Sequence, residues 1–261
     1  MQIFRDFIKV IDRQTIGVTA AACIATALCL IFDVTIDLRT DLIAIAIVFP
    51  IVFSINAAYK RREEALGYFA SLKAHSIALY YGHRDWAPDN SPEHARRMRP
   101  LIEDLLKSIH RYFISPEEKD AQFQEVYGHF SEISSSIEKL RHAGATPGDI
   151  SNANQTLRAM MTDFEKMRNI YLYRTPTALR AYSHVFLLVF PVLFAPSFAK
   201  LSEDYFTAAG FMVAAVYSLV LVSLDNIQEH LENPYDEVGA DDLRLNVVDS
   251  YKPILGEGMV K

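Results

Sequence analysis

The chain has 261 residues, 51% of them hydrophobic, and a formal net charge of −6. Charges are nearly absent from four windows and dense between them, which excludes one evenly patterned soluble domain. The acidic balance and the absence of any basic run with interleaved aromatics give no reason to expect a nucleic-acid partner.

The first apolar window, Gln14 to Phe32, follows Arg5, Lys9 and Arg13. Its apolar run is too long for the hydrophobic core of a signal peptide, and it leads into another span rather than a cleavage site, so a retained helix is expected. Cys23 and Cys29 lie six apart in it. On a helix they occupy different faces, and they imply neither a disulfide nor metal chemistry. The second window, Leu42 to Tyr59, ends abruptly at Lys60-Arg61-Arg62-Glu63-Glu64. Within it Ile45, Phe49 and Phe53 recur at i, i+4 and i+8, which stacks three large apolar side chains on one helix face. Pro50 interrupts the backbone hydrogen-bond ladder there and is expected to bend the helix.

The second helix continues past the basic cluster through Tyr81, because Ala65, Phe69, Leu72, Ser76 and Leu79 keep a helical stripe. The run from Gly82 to Pro92 ends it. A helix follows from about Glu93 to Phe113. Ser115-Pro116-Glu117-Glu118 then has the pattern of a helix start, predicting a helix to about His142 that stops at Ala143-Gly144. Thr146-Pro147-Gly148-Asp149 starts another in the same way, ending before Thr175-Pro176.

The third and fourth windows are Ala181 to Ala199 and Tyr205 to Leu224. All four windows match the roughly 20 residues a helix needs to cross hydrocarbon. His184 is the one costly residue in the third window and is expected to bond a neighbouring helix or face water. The fourth helix extends to Glu232 and is stopped by Asn233-Pro234. The tail 233–261 lacks helical periodicity, which leaves it disordered or laid out on another surface.

Basic residues cluster before the first window, after the second and before the third, while the loops 33–41 and 200–204 carry Asp33, Asp37, Asp41, Glu203 and Asp204 against Arg39 and Lys200. That bias places both termini and the segment 60–175 in the cytoplasm, with two short outer hairpins. The expectation is a multi-pass protein of the cell's inner membrane, all-α, with membrane lipid as a partner and spans at about 14–32, 42–59, 181–199 and 205–224.

Enzymatic chemistry is not expected. The eight histidines include no pair at i, i+4, and the chain has no His-Glu-x-x-His, no glycine-rich phosphate loop and no Gly-x-Ser-x-Gly elbow. The acidic run from Asp236 to Asp242 is the one candidate for a hard cation.

These features together resemble the bestrophin family of pentameric ion channels. Ile45–Arg61 reads IAIVFPIVFSINAAYKR, similar to the family's second helix, with its apolar neck before an Asn-Ala-Ala-Tyr-x-Arg turn. Gly148-Asp149-Ile150-Ser151 through Arg168-Asn169-Ile170 to Thr175-Pro176 is similar to the segment leading into the third span. Leu231-Glu232-Asn233-Pro234-Tyr235, with Asp242-Leu243 beyond it, is close to the Glu-Asn-Pro-Phe segment after the last helix.

The resemblance implies a funnel-shaped homopentamer with one channel unit over residues 1–261. Ile45, Phe49 and Phe53 fall on its hydrophobic neck and Ile150 near its cytoplasmic aperture. It implies passive conduction of chloride and other small anions. A monovalent-cation channel is the alternative, because the outer loop is acidic, and a non-conducting membrane scaffold is a third reading. Asp241 and Asp242 match part of the calcium clasp of animal members. Val238 stands where a carboxylate is expected, so no cofactor is expected and calcium is the one metal in question.

Overall fold

The computed structural model describes residues 12–37, 40–88, 91–117, 119–173, 177–237 and 242–256; within its helices the side chains of 40–48, 50, 177–180, 182 and 183 lie outside that description. Nine helices and no strand occur among the described residues: α1 (Arg13–Ile31), α2 (Thr40–Asp85), α3 (Glu93–Ile114), α4 (Lys119–His142), α5 (Pro147–Leu172), α6 (Thr177–Leu193), α7 (Ala195–Asp204), α8 (Thr207–Glu232) and α9 (Val248–Tyr251). They form two compact units, Met1–Arg61 with Arg174–Glu232, and Arg62–Tyr173 with Asn233–Lys261. The first division falls inside the basic cluster Lys60-Arg61-Arg62, where the apolar window ends.

The first unit is packed inside-out. On α1 the buried residues are Thr15, Ala22 and Thr26, while Ile16, Ile24, Leu28 and Ile31 are exposed. On α8 the buried positions in the apolar stretch begin Gly210, Ala214, Ser218, one turn apart, and Met212, Val213, Val216 and Val220 face outward. Water would favour the reverse. In a bilayer, small residues let helix backbones approach while large apolar side chains meet lipid. Three stretches are long and apolar enough to cross a membrane: Arg13–Ile31, His184–Asp204 and Thr207–Glu232. The remaining expected span, 42–59, lies within α2. This is a membrane protein.

Gly210 is the tightest contact in the unit. A Cβ there would lie 1.9 Å from the Phe198 carbonyl oxygen and 2.4 Å from Ser202 Oγ, and the Gly210 N–H donates to that hydroxyl at 3.1 Å. Because the obstacle is the α7 backbone, Gly210→Ala is expected to separate α7 from α8 and to cost about 1–3 kcal/mol or more. A fall in the thermal unfolding midpoint of the detergent-solubilised protein checks this.

Two boundaries differ from the sequence expectation. The segment 200–204, expected as an outer hairpin, is helical: α7 runs to Asp204, and Lys200 bridges to Glu203 at 3.7 Å and Asp204 at 3.0 Å, pairs that support a helical turn. The third span is one apolar stretch with a joint at Phe194, between α6 and α7, because Pro196 has no N–H to continue the ladder. The second difference is the start of α4, which lies at Lys119 and not at Ser115. Ser115 instead closes α3, its N–H bonding the Arg111 carbonyl, and its extended backbone is the conformation a following proline favours. Lys119 and Gln122 reach back with their side chains to the carbonyls of Tyr112 and Glu117 and tie the linker down.

The second unit has a continuous apolar core. Ala65, Phe69, Leu72, Ser76 and Leu79 of α2 are all buried, as the stripe requires. Gly144, at φ 94°, takes the left-handed position past the end of α4, while the Ala145 N–H reaches back to the Leu140 carbonyl. Thr146 caps α5 by accepting from the Asp149 N–H. An aromatic cluster of Tyr112, Phe113, Phe123, Tyr127, Phe130, Phe164 and Tyr171 fills the middle. Tyr127 donates to Glu165 at 2.7 Å, and burial followed by that carboxylate pushes its phenol up to about 12. The tail is laid on this unit: Tyr235 stacks on Phe113 at 4.4 Å, and Leu243, Leu245, Val248 and Leu255 are buried.

His83 is buried here, its Nδ1 2.8 Å from the Leu79 carbonyl. Burial lowers its pKa, and the charge of His94 adds to the effect. The fold therefore holds the neutral imidazole, and the unfolded chain binds a proton that the folded one does not. Stability is expected to be full above the unfolded value near 6.5 and to fall as pH drops below it toward the lowered folded value. Unfolding midpoints measured between pH 8 and pH 5 should show a decline that His83→Leu reduces.

Candidate functional site

The second apolar window builds a helix with one packed and one bare face. Ile51, Ser54 and Ala58 are buried. At about 100° per residue they lie opposite Phe49 and Phe53. Those two rings are 63% and 56% exposed, with Val52 also bare. They touch each other edge to face, with centroids 4.7 Å apart and an interplanar angle of 73°, the arrangement that aromatic quadrupoles favour. Among the described residues, the rest of the chain leaves more than half of each ring uncovered. Large apolar rings left bare beside a buried face mark a surface that meets lipid, another copy of the chain or a pore.

Ile45 lies one turn above Phe49, where α2 is helical, and its side chain is outside the described residues. The same holds for Pro50, and α2 continues as helix through it. Below Phe53 the bare face carries Asn56 and then Lys60, both exposed. Lys60 is seven residues beyond Phe53, within about 20° of it around the helix axis. Sequence reasoning grouped Lys60 with Arg61 and Arg62 as a boundary marker and missed this alignment. The heptad spacing was the signal.

Ile150 has a different setting. It is 4% exposed and belongs to the apolar core of the second unit. A shallow depression of about 260 Å3, lined also by Arg141, Pro147, Ser151 and Asn154, opens beside it. Ile150→Ala is expected to cost about 2–5 kcal/mol by leaving a cavity, read as a lower unfolding midpoint.

His184 bonds a neighbouring helix, as its position in an apolar window demands. Its Nδ1 is 2.6 Å from Asp225 Oδ2 on α8. Asp225 was not singled out from the sequence because it stands one residue past the fourth apolar window. Its side chain is 12% exposed against 46% for His184, so the carboxylate is the member that most needs its partner. Cys23 and Cys29 are half-buried free thiols. Asp242 lies on the non-helical segment before α9, and Asp241 is outside the described residues. Among the described residues no group of three or more His, Cys, Asp or Glu is placed to hold a metal ion.

No protein-family profile matches the chain, and no curated protein matches it. Solved structures do. A crystal structure described as a membrane protein aligns with TM-score 0.80 at 17% identity, over 94% of this chain and 98% of that one. A bacterial bestrophin homologue from Klebsiella pneumoniae aligns over 97% of both chains, with TM-score 0.77 at 19% identity. A second variant of that homologue gives TM-score 0.76 at 19% identity, over 97% and 98%. The chain has the bestrophin fold. That agreement spans both compact units, so the bestrophin resemblance of the three short sequence segments extends to nearly the whole backbone. At this identity the likeness speaks for the fold, and the roles of individual side chains rest on their own geometry.

Proposed function

We propose that this chain is a passive ion channel: a homopentamer in the inner membrane, with both termini cytoplasmic and α2 supplying the fourth span. The observation that carries the reading is the bare Phe49–Phe53 face on a helix whose opposite face is packed. Around a symmetry axis, Ile45, Phe49 and Phe53 become stacked apolar rings, a constriction that gates by dewetting. The resemblance of Ile45–Arg61 to the neck-forming second helix of bestrophins supports turning this face toward an axis shared by several copies. Pro50 supplies the bend at the level of the rings. Ile150 is a second constriction if the start of α5 turns it out of the core that holds it in the single chain.

The conducted species is chloride and other small anions. Phenylalanine edges are electropositive toward a passing anion, and Lys60 on the same face adds a ring of positive charge below the neck. The monovalent-cation reading has its own support in Asp33, Asp37 and Asp41 of the outer loop. Calcium at Asp241 and Asp242 is not part of the proposal.

Purified protein in a planar bilayer under asymmetric sodium chloride tests both parts. Current reversing near the chloride equilibrium potential is expected. Reversal near the sodium potential transfers the proposal to the cation reading. A correctly assembled oligomer that passes no current points to a membrane scaffold and overturns the channel.

A further inference from the structure

Helix α2 ends and α3 begins around a cleft in the second unit that the conduction reading does not use. Its volume is about 530 Å3, and it is lined by Tyr80 and Arg84 of α2, Pro92, Ala95, Arg96 and Arg99 at the start of α3, and Leu255 of the tail. Tyr80 and Arg84 are one turn apart, and Pro92, Ala95, Arg96 and Arg99 share one face of the first two turns of α3. Three guanidinium groups therefore converge from two helices on one concavity.

The floor is apolar: Tyr80, Ala95 and Leu255 are each buried. The rim is basic and partly pre-ordered. Arg84 is gripped by Asp85 through Nε at 2.6 Å and Nη2 at 2.8 Å, and its guanidinium lies 4.6 Å from the centre of the Tyr81 ring. That pairing uses two of its five N–H donors and costs the side chain its rotamer freedom before any ligand arrives. Arg99 is braced by Glu103 at 2.8 Å, and Arg96 is exposed. Glu93 turns its carboxylate onto Arg97, at 2.6 Å.

A further feature favours negative charge. Helix α3 is 22 residues long; Pro92 at its start has no side chain to cap it, and the Glu93 N–H of its first turn donates to the Ser91 hydroxyl at 3.3 Å. Its N-terminal N–H groups and the positive end of its dipole supply the donors that anions take at helix starts. Arginine forks match phosphate oxygens in pairs, which a compact ammonium does not.

We infer that this cleft is a binding site for a nucleotide-sized organic phosphate, its phosphate groups held by Arg84, Arg96 and Arg99 and its apolar body on Tyr80 and Leu255. A bare phosphate would leave most of the volume empty, whereas a ligand of nucleotide size suits the range of about 300–1,000 Å3 typical of such pockets. Leu255 carries the chain's tail into the cleft wall, so an occupied cleft also pins the segment 242–256 in place. The site stands whether or not the neck conducts, and its test needs no current.

The test is binding of ADP to the full-length protein in detergent, by calorimetry at fixed ionic strength, with pyrophosphate and sulfate as companion probes. Sub-millimolar binding of ADP is expected, weakened about tenfold or more in Arg96→Gln and in Arg99→Gln. Pyrophosphate should bind about tenfold more weakly than ADP, because it lacks the body that meets the floor, and sulfate should not compete. Absence of ADP binding up to about 10 mM, or equal binding by wild type and both variants, overturns the site. Equal affinity for pyrophosphate and ADP overturns the organic part of the assignment. Nanodiscs with and without phosphatidylglycerol separate the sources of phosphate. Unchanged ADP affinity supports a free metabolite, and displacement by the anionic lipid through the same arginines reassigns the cleft to a lipid headgroup. Both variants replace side chains on the cleft rim, and an unchanged unfolding midpoint without ligand verifies that the fold survives.

Discussion

Replacing Phe49 and Phe53 together with alanine is expected to raise macroscopic current about tenfold or more, since removing about 1.4 kcal/mol from a barrier is tenfold in rate. The argument begins with exposure. The two rings are each more than half exposed and touch each other edge to face. Truncating them removes little intrachain packing, so the fold should tolerate the change, unlike a truncation at buried Ile51. If the rings face a pore, alanine widens it and lets water persist where apolar walls had expelled it. Adding Ile45→Ala should increase the effect, because Ile45 continues the same i, i+4 series. Single-channel recording checks the prediction. Unchanged conductance and selectivity in a properly assembled triple variant would remove the neck from this face and leave it as a lipid-facing or subunit-facing surface.

Much of the fold was legible because its signals are local. The stripe from Ala65 to Leu79 needed only a 3.6-residue period to declare a buried helix face, and all five positions are buried. Thr146-Pro147 and Ala143-Gly144 declare a cap and a stop through rules that act within one turn. The misplaced start of α4 shows where local rules end. Ser115-Pro116 satisfies the pattern for a helix start, yet the same proline holds Ser115 extended, and Lys119 and Gln122 bond the linker through contacts no pattern encodes. Charges at 200–204 suggested a loop, but Lys200, Glu203 and Asp204 are spaced to pair along a helix.

The site was legible in part for a similar reason. Periodicity put Ile45, Phe49 and Phe53 on one face but could not say whether that face is buried. Burial of Ile51, Ser54 and Ala58 on the opposite face decides it, and Ile51 packs in a cluster with Leu187 and Phe190, far along the chain. Ile150 shows the converse, since a residue placed at an aperture by resemblance is held in the core of its own chain. The close approach at Gly210 and the pairing of His184 with Asp225 are properties of two helices at once and leave no mark on either alone.

Reversing the charge of Lys60 tests selectivity more directly than any change in the neck. Phe49, Phe53, Asn56 and Lys60 share the bare face of α2, so if that face lines a pore, Lys60 is the first full charge an ion meets after the apolar rings, about 10 Å below Phe53 along the helix. Glu64 follows four residues later, so in a pentamer with this face on the axis the lysines stand before a ring of carboxylates. In a pentamer their summed potential acts on an ion within a Debye length of about 8 Å at physiological salt, close enough to bias which ion lingers at the mouth. Lys60→Glu replaces that barrier to cations with an attraction and joins it to the ring at Glu64. The expected result is a shift of the reversal potential away from the chloride value and toward the sodium value, by a change in permeability ratio of about tenfold. Lys60→Gln should move it part of the way. The effect should shrink as salt is raised, because screening shortens the reach of the charge. If the wild type already prefers sodium and Lys60→Glu changes nothing, Lys60 does not face the permeation path, and the acidic outer loop carrying Asp33, Asp37 and Asp41 becomes the determinant to mutate next.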